Sequence, residues 1–179
     1  MNVFLSGGSK SGKSMLAQRI ARAMCPGAPR YYLATMIPHD AEDDARIARH
    51  RQERAGWGFE TVECGTHILA ALEKTDPAGV FLLDSVTALL SNEMFRADGT
   101  MDEDAGARLA RELTELAEKT GNCVFVCDNI FADAGAYGEW TERYRQALGA
   151  LGAALCRVCE AAGEVCCGVP VWHKGGWAE

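Results

Sequence analysis

The chain has 179 residues, with 18 Lys and Arg against 25 Asp and Glu, a net charge of −7 and 48% hydrophobic residues. That length and composition predict a single globular domain over 1–179 with a sizeable core. The acidic balance excludes a general nucleic-acid binder, which needs a basic surface. No apolar run approaches the ~20 residues of a membrane span. The N-terminus runs into a strand pattern without a signal peptide, so a cytoplasmic protein is expected.

Residues 2–6 are a short apolar run that predicts a buried strand. Gly7-Gly8-Ser9-Lys10-Ser11-Gly12-Lys13-Ser14 follows and fits G-x-x-x-x-G-K-[S/T], the phosphate-binding loop. Residues 15–24 then read as a helix with Leu16, Ile20 and Ala23 on one face. Strand, glycine loop and helix together aim backbone N–H groups and the positive helix end at an anion. In this pattern Lys13 reaches the β- and γ-phosphates of a nucleoside triphosphate, and the Ser14 hydroxyl faces Mg²⁺.

A Pro/Gly break at 25–29 leads to a strand at 30–35. A polar helix is predicted from Asp40 to about residue 54, with Asp40 as N-cap and Asp40, Glu42, Asp43 and Asp44 at the positive end of its dipole. Arg46, His50 and Arg54 are spaced four apart and share one face of that helix. An imidazole between guanidinium groups is disfavoured in its charged form and suits a polyphosphate ligand. A merely solvated charged face fits the same spacing.

A short strand is predicted at 59–63 and a helix at 67–74. Val80-Phe81-Leu82-Leu83-Asp84 is an apolar run ending in a carboxylate, the pattern that delivers an acid to the metal beside a phosphate loop. Helices are expected at 85–95, 101–120 and 139–162. Strands are expected at 123–128, with a polar end at Asp128, and at 165–171, before a tail. Residues 129–138 read as an irregular loop. Alternating strands and helices imply a mostly parallel α/β sheet covered on both faces, with ligands at the carboxyl ends of the strands. The phosphate loop, Thr35, Glu63, Asp84 and Asp128 all fall at such ends.

Eight cysteines without a secretion signal are expected to be reduced. Cys156-x-x-Cys159 followed by Cys166-Cys167 has some of the look of a metal site. Cys156 and Cys159 share a helical pattern with Leu148, Leu151 and Leu155, and the other pair falls in a strand pattern, so small buried hydrophobes are the simpler reading.

These residues resemble the bifunctional adenosylcobinamide kinase and adenosylcobinamide-phosphate guanylyltransferase family of cobalamin assembly. The resemblance is carried by the phosphate loop, Tyr32-Leu33-Ala34-Thr35, Arg46-Ile47-Ala48-Arg49-His50-Arg51 with Arg54, and Thr61-Val62-Glu63. It continues through Leu82-Leu83-Asp84 with Thr87, Leu90, Ser91 and Asn92, and ends at Gly168-Val169-Pro170-Val171 with Lys174. It implies a RecA-like P-loop fold. It also implies two reactions: phosphorylation of the cobinamide hydroxyl by ATP or GTP, and transfer of GMP from GTP onto that phosphate. His50 matches the position that carries GMP, with Lys13 as its catalytic companion. Ala34, Thr35, Met36, Arg51, Gln52, Glu53, Arg54, Glu63 and Asp84 are implied at the nucleotide, and Ser14 and Asp84 at Mg²⁺. The expected partners are a nucleoside triphosphate and a corrinoid, and the resemblance suggests a homo-oligomer such as a trimer.

The chain departs from the family after the fifth strand. Cys127-Asp128-Asn129-Ile130-Phe131 stands where Ser-Asn-Glu-Val-Gly is usual, and no Val-Pro follows. The Asn-Gln pair usual in the next helix is replaced by Gly152-Ala153-Ala154. The alternative reading is a P-loop small-molecule kinase lacking the guanylyltransferase step. A GTP-binding switch would need an Asn-Lys-x-Asp tetrad, which the sequence lacks.

Overall fold

The computed structural model describes residues 1–38, 48, 51–52, 55–96 and 98–177. Its centre is a seven-stranded sheet in the order β3-β2-β4-β5-β1-β6-β7. The strands are β1 (Val3–Gly7), β2 (Arg30–Ala34), β3 (Phe59–Glu63), β4 (Val80–Asp84), β5 (Cys123–Asp128), β6 (Ala161–Cys166) and β7 (Val169–Lys174). The helices are α1 (Lys13–Ala23), α2 (Val86–Met94), α3 (Ala105–Thr120) and α4 (Glu139–Val158). All neighbouring strands pair in parallel except β6 and β7, which form an antiparallel hairpin.

The apolar runs at 80–84 and 123–127 are continuous because both faces of the sheet are covered. Side chains of a strand alternate between faces. Val3, Leu5, Leu82, Val124 and Val126 therefore pack with Leu16, Ala17 and Ile20 of α1. Phe4, Phe81, Leu83 and Phe125 pack on the other side with α2, α3 and α4, through Leu89, Leu109, Leu113, Leu148 and Leu151. Phe81 and Phe125 are the largest of the fully buried side chains. Burial of that kind is worth about 1.5–3 kcal/mol per large side chain.

Four predicted elements differ. The expected helix at 67–74 is a 3-10 helix, Ile68–Lys74, entered from His67 in the left-handed region at φ 51. Its buried residues Ile68 and Ala71 are three apart, the repeat of a 3-10 helix, so the tighter winding keeps both inward. The expected helix from 101 starts instead at Ala105. Met101 bridges to Phe95, and the Asp102 carboxylate accepts bonds from Arg96, Arg108 and the Asp104 N–H, which holds the preceding residues in a turn.

The largest difference is at the C-terminus. The helix expected to reach 162 ends at Val158, and the single strand expected at 165–171 is two, β6 and β7. Lys174 Nζ donates to the carbonyls of Cys156 and Arg157 and so closes the end of α4. Ala161, Ala162 and Gly163 have weak strand preference but pair along β1, and that tertiary pairing overrides propensity. Cys167 and Gly168 form the hairpin turn, at φ 49 and φ 83. Cys166 and Cys167 are therefore exposed rather than buried hydrophobes.

Candidate active site

The phosphate loop leaves the end of β1 and enters α1 as the motif predicts. Gly7 cannot be replaced without movement: a Cβ there would lie 2.6 Å from the Val165 carbonyl oxygen and 2.7 Å from Ser11 Oγ. Gly12 is the N-cap of α1 at φ 91, in the left-handed region. No side chain caps this end and no acidic residue occupies the first turn. The first N–H groups of α1 and the helix dipole are thus left to meet an anion. Gly8, Ser9, Lys10 and Gly12 are exposed, while Ser11 and Ser14 are half-buried.

The β6–β7 hairpin buttresses the loop. The Gly168 N–H donates to the Ser11 carbonyl at 2.7 Å, and a Cβ on Gly12 would sit 3.1 Å from Gly168 Cα. The sequence marks Gly168 only within the closing segment of the resemblance. Its contact with the loop depends on a hairpin that the residue pattern does not announce.

Lys13 is buried along its stem, and its ammonium makes two contacts. It donates to the Gly8 carbonyl at 3.1 Å and forms an ion pair with Asp128 Oδ1 at 2.6 Å. The Lys13 side chain is 9% exposed and that of Asp128 32%. Asp128 is in register with Gly7 across the β1–β5 pair. Its backbone N–H donates to Thr87 Oγ1 at 2.8 Å, and the Thr87 carbonyl accepts from the Tyr144 hydroxyl at 2.8 Å. The Asn129 N–H returns to the Gly7 carbonyl at 3.1 Å. The Cys127 thiol beside it is pushed up to about 12 by burial, which leaves it an inert core group.

Asp84 ends β4, separated from β1 by β5. Two strand spacings are about 9.6 Å, so its carboxylate approaches the phosphate loop from one strand further away than Asp128 does. Asp84 Oδ2 accepts from the Tyr32 hydroxyl at 3.1 Å. Ser14 and Asp84 both offer oxygen, the donor type that suits Mg²⁺ with retained water.

The remaining expected site residues divide into two groups. Thr35 is fully buried, and its hydroxyl bridges the N–H and carbonyl of Ser85 at 2.7 and 2.8 Å. Its own carbonyl accepts from Asn92 Nδ2 at 2.8 Å, which also reaches the Gly65 carbonyl. Thr35 thus ties the ends of β2 and β4 together, with Ala34 and Met36 half-buried on either side. At the other edge, exposed Glu63 pairs with Arg51, and Gln52 is exposed beside it. Ala48, Arg51 and Gln52 are helical, in keeping with the helix expected there. His50, Glu53 and Arg54, with Arg46 and the N-cap Asp40, lie outside the described residues. An open cavity of about 400 Å³ at this edge is lined by Arg51, Ala55, Gly56, Gly58, Phe59 and Thr61.

Residues 3–172 match the family model for cobinamide kinase / cobinamide phosphate guanyltransferase. The chain is 32% identical over 177 residues to the bifunctional adenosylcobalamin biosynthesis protein CobP of Pseudomonas aeruginosa, covering 98% of each chain. It is 33% identical over 119 residues to the bifunctional adenosylcobalamin biosynthesis protein CobU of Escherichia coli, covering 66% of this chain and 64% of that one. Among solved structures, an ATPase domain superposes with a TM-score of 0.51 at 10% identity, over 91% of this chain and 68% of that one. That last likeness is one of fold.

Proposed function

The chain belongs to the cobinamide kinase / cobinamide phosphate guanyltransferase family, and from that premise we propose how its residues divide the two reactions. In the first, the hydroxyl of adenosylcobinamide attacks the γ-phosphorus of a nucleoside triphosphate. In the second, the His50 imidazole attacks the α-phosphorus of GTP and pyrophosphate leaves. The phosphate of adenosylcobinamide phosphate then displaces the imidazole and takes the GMP. Splitting one displacement into two through a covalent intermediate lowers each barrier.

Lys13, the loop N–H groups and the start of α1 bind the phosphates in both reactions and stabilise charge as it moves to the leaving group. Ser14 and Asp84 would hold Mg²⁺, which neutralises phosphate charge when bound. Arg51, Gln52, Glu53, Arg54 and Glu63, with Ala34, Thr35 and Met36, belong to the nucleotide side of the site. The reading extends to a cytoplasmic homo-oligomer handling a corrinoid; no described helix is long and apolar enough to cross a membrane.

The observation that carries this reading is an uncapped α1 N-terminus with the Lys13 ammonium folded back over the loop, in a chain matched to the family nearly end to end. Incubation with α-labelled GTP and Mg²⁺ should leave acid-labile, base-stable label on the protein, mapping to the His50 peptide. His50→Ala should lose the label and guanylyl transfer while keeping phosphorylation. Label that persists in His50→Ala or maps to His39 or His67 overturns the assignment. Phosphorylation with no label under any condition favours the kinase-only alternative.

A further inference from the structure

Asp128 has no role in the two reactions as assigned above, yet it is the carboxylate in ion-pair contact with Lys13 among the described residues. We propose that Asp128 is the proton acceptor of the phosphorylation step, held by Lys13 until a triphosphate engages the lysine. The proposal rests on the kinase half of the reading above.

Position comes first. Lys13 reaches the β- and γ-phosphates in a loop of this type. A group 2.6 Å from its ammonium is therefore one contact away from where the γ-phosphate sits. The acceptor hydroxyl must approach that same place, in line with the bond that breaks. Asp128 is open enough to receive it, since its side chain is 32% exposed while Lys13 is nearly enclosed. The Thr87 and Gly7 hydrogen bonds fix the backbone on either side, so the carboxylate cannot drift from the loop.

The other carboxylates at this end of the sheet are engaged differently. Asp84 accepts from Tyr32 and stands one strand further from β1. Glu164 Oε1 accepts from Asn129 Nδ2 at 2.8 Å. Glu63 pairs with Arg51 at the β3 edge.

The step balances. The acceptor O–H proton passes to an Asp128 oxygen as the acceptor oxygen bonds to the γ-phosphorus. The bond from that phosphorus to the β–γ bridging oxygen breaks, and the nucleoside diphosphate leaves with the electron pair. Lys13 lies between the carboxylate and the phosphate oxygens and offsets their like charge. Guanylyl transfer needs no such base: its nucleophiles are an imidazole lone pair and an ionised phosphate oxygen. One residue should therefore separate the two reactions.

The test uses the full chain, Mg²⁺ and separate assays for phosphorylation of adenosylcobinamide and for guanylyl transfer to adenosylcobinamide phosphate. Asp128→Asn should lower kcat for phosphorylation by about 10²–10⁴-fold, the usual contribution of a positioned base. Guanylyl transfer should fall by less than about five-fold, because transition-state interactions unique to the other step are untouched. In Asp128→Ala, added formate should restore part of the phosphorylation rate. Equal losses in both reactions, a phosphorylation rate within a few-fold of the parent, or loss of the folded circular-dichroism spectrum in both variants would each make Asp128 a structural anchor of the loop and overturn the proposal. A parent chain that phosphorylates no corrinoid sinks the family reading and the proposal with it.

Discussion

The ends of β4 and β5 look alike in the sequence and do different things in the fold. Each is an apolar strand closed by an aspartate, Leu82-Leu83-Asp84 and Val126-Cys127-Asp128. The two strands are neighbours, with Asp84 in register with Val126, so Asp128 projects two residues further along the sheet. Asp128 meets the lysine of the phosphate loop, whereas Asp84 meets a tyrosine of β2. Strand order makes the difference. β5 lies beside β1, and β4 is one strand removed. An acid in direct contact with Lys13 suits proton and phosphoryl chemistry, and an acid at a distance leaves room for a hydrated metal ion.

The largest expected effect comes from the lysine that Asp128 contacts. Lys13→Ala removes the charge proposed to bind the β- and γ-phosphates and leaves Asp128 without its ion-pair partner. Both reactions should fall by at least about 10³-fold, the upper range for losing one stabilising donor to a developing charge. The fold should persist, because the lysine stem is a small part of the core. Triphosphate turnover near the parent rate in a folded Lys13→Ala variant would remove the loop from the mechanism.

Asp84→Asn should cost less, about 10²-fold in either reaction, and the loss should be partly recovered at high Mg²⁺. Titration of rate against Mg²⁺ checks this. The half-saturating concentration should rise for Asp84→Asn and stay near the parent value for Asp128→Asn. If it rises for Asp128→Asn instead, the roles given to the two strand ends are reversed.

Thr87→Val probes the support of Asp128 without touching its carboxylate. The Asp128 N–H loses its acceptor in a half-buried setting, a cost of about 1–2 kcal/mol. Thermal unfolding should shift down by roughly 3–6 °C for a chain of this size. Phosphorylation should suffer more than guanylyl transfer as the carboxylate loses its fixed position. A melting point unchanged from the parent would mean that Thr87 does not anchor β5.

The parts of the site that the sequence revealed are those written locally. Gly7 through Ser14 have fixed spacing because each backbone position has its own steric demand, and the apolar runs at 80–84 and 123–127 are visible because both faces of the sheet are covered. The ion pair between Lys13 and Asp128 is not local. It depends on β5 inserting between β1 and β4, and a run ending in aspartate reads the same wherever the strand lies. Gly168 was hidden for a related reason. Its role needs β6 and β7 to form a hairpin, and Ala161-Ala162-Gly163 have a weak strand preference that only pairing with β1 overcomes. The 3-10 winding of Ile68–Lys74 was equally out of reach, since Ile68 and Ala71 sit at a spacing that an α-helix also accommodates.

The smallest expected effect belongs to Tyr32→Phe, and it tests the Asp84 side of the comparison. The Tyr32 hydroxyl donates to Asp84 Oδ2 at 3.1 Å, while its ring packs edge-on against Phe59 with centroids 6.5 Å apart. Phenylalanine keeps the ring and removes the donor. Because Asp84 is half-buried, water can replace the lost bond, and the net cost should fall at the low end for a hydrogen bond, about 0.5 kcal/mol. If the tyrosine only orients a metal-binding carboxylate, that cost should appear as a rise of about two- to three-fold in half-saturating Mg²⁺, with kcat at saturating Mg²⁺ unchanged. Both reactions should show the same shift, because the proposal gives both the same metal site. A loss in phosphorylation alone would give Asp84, rather than Asp128, the part in that step which distinguishes it from guanylyl transfer.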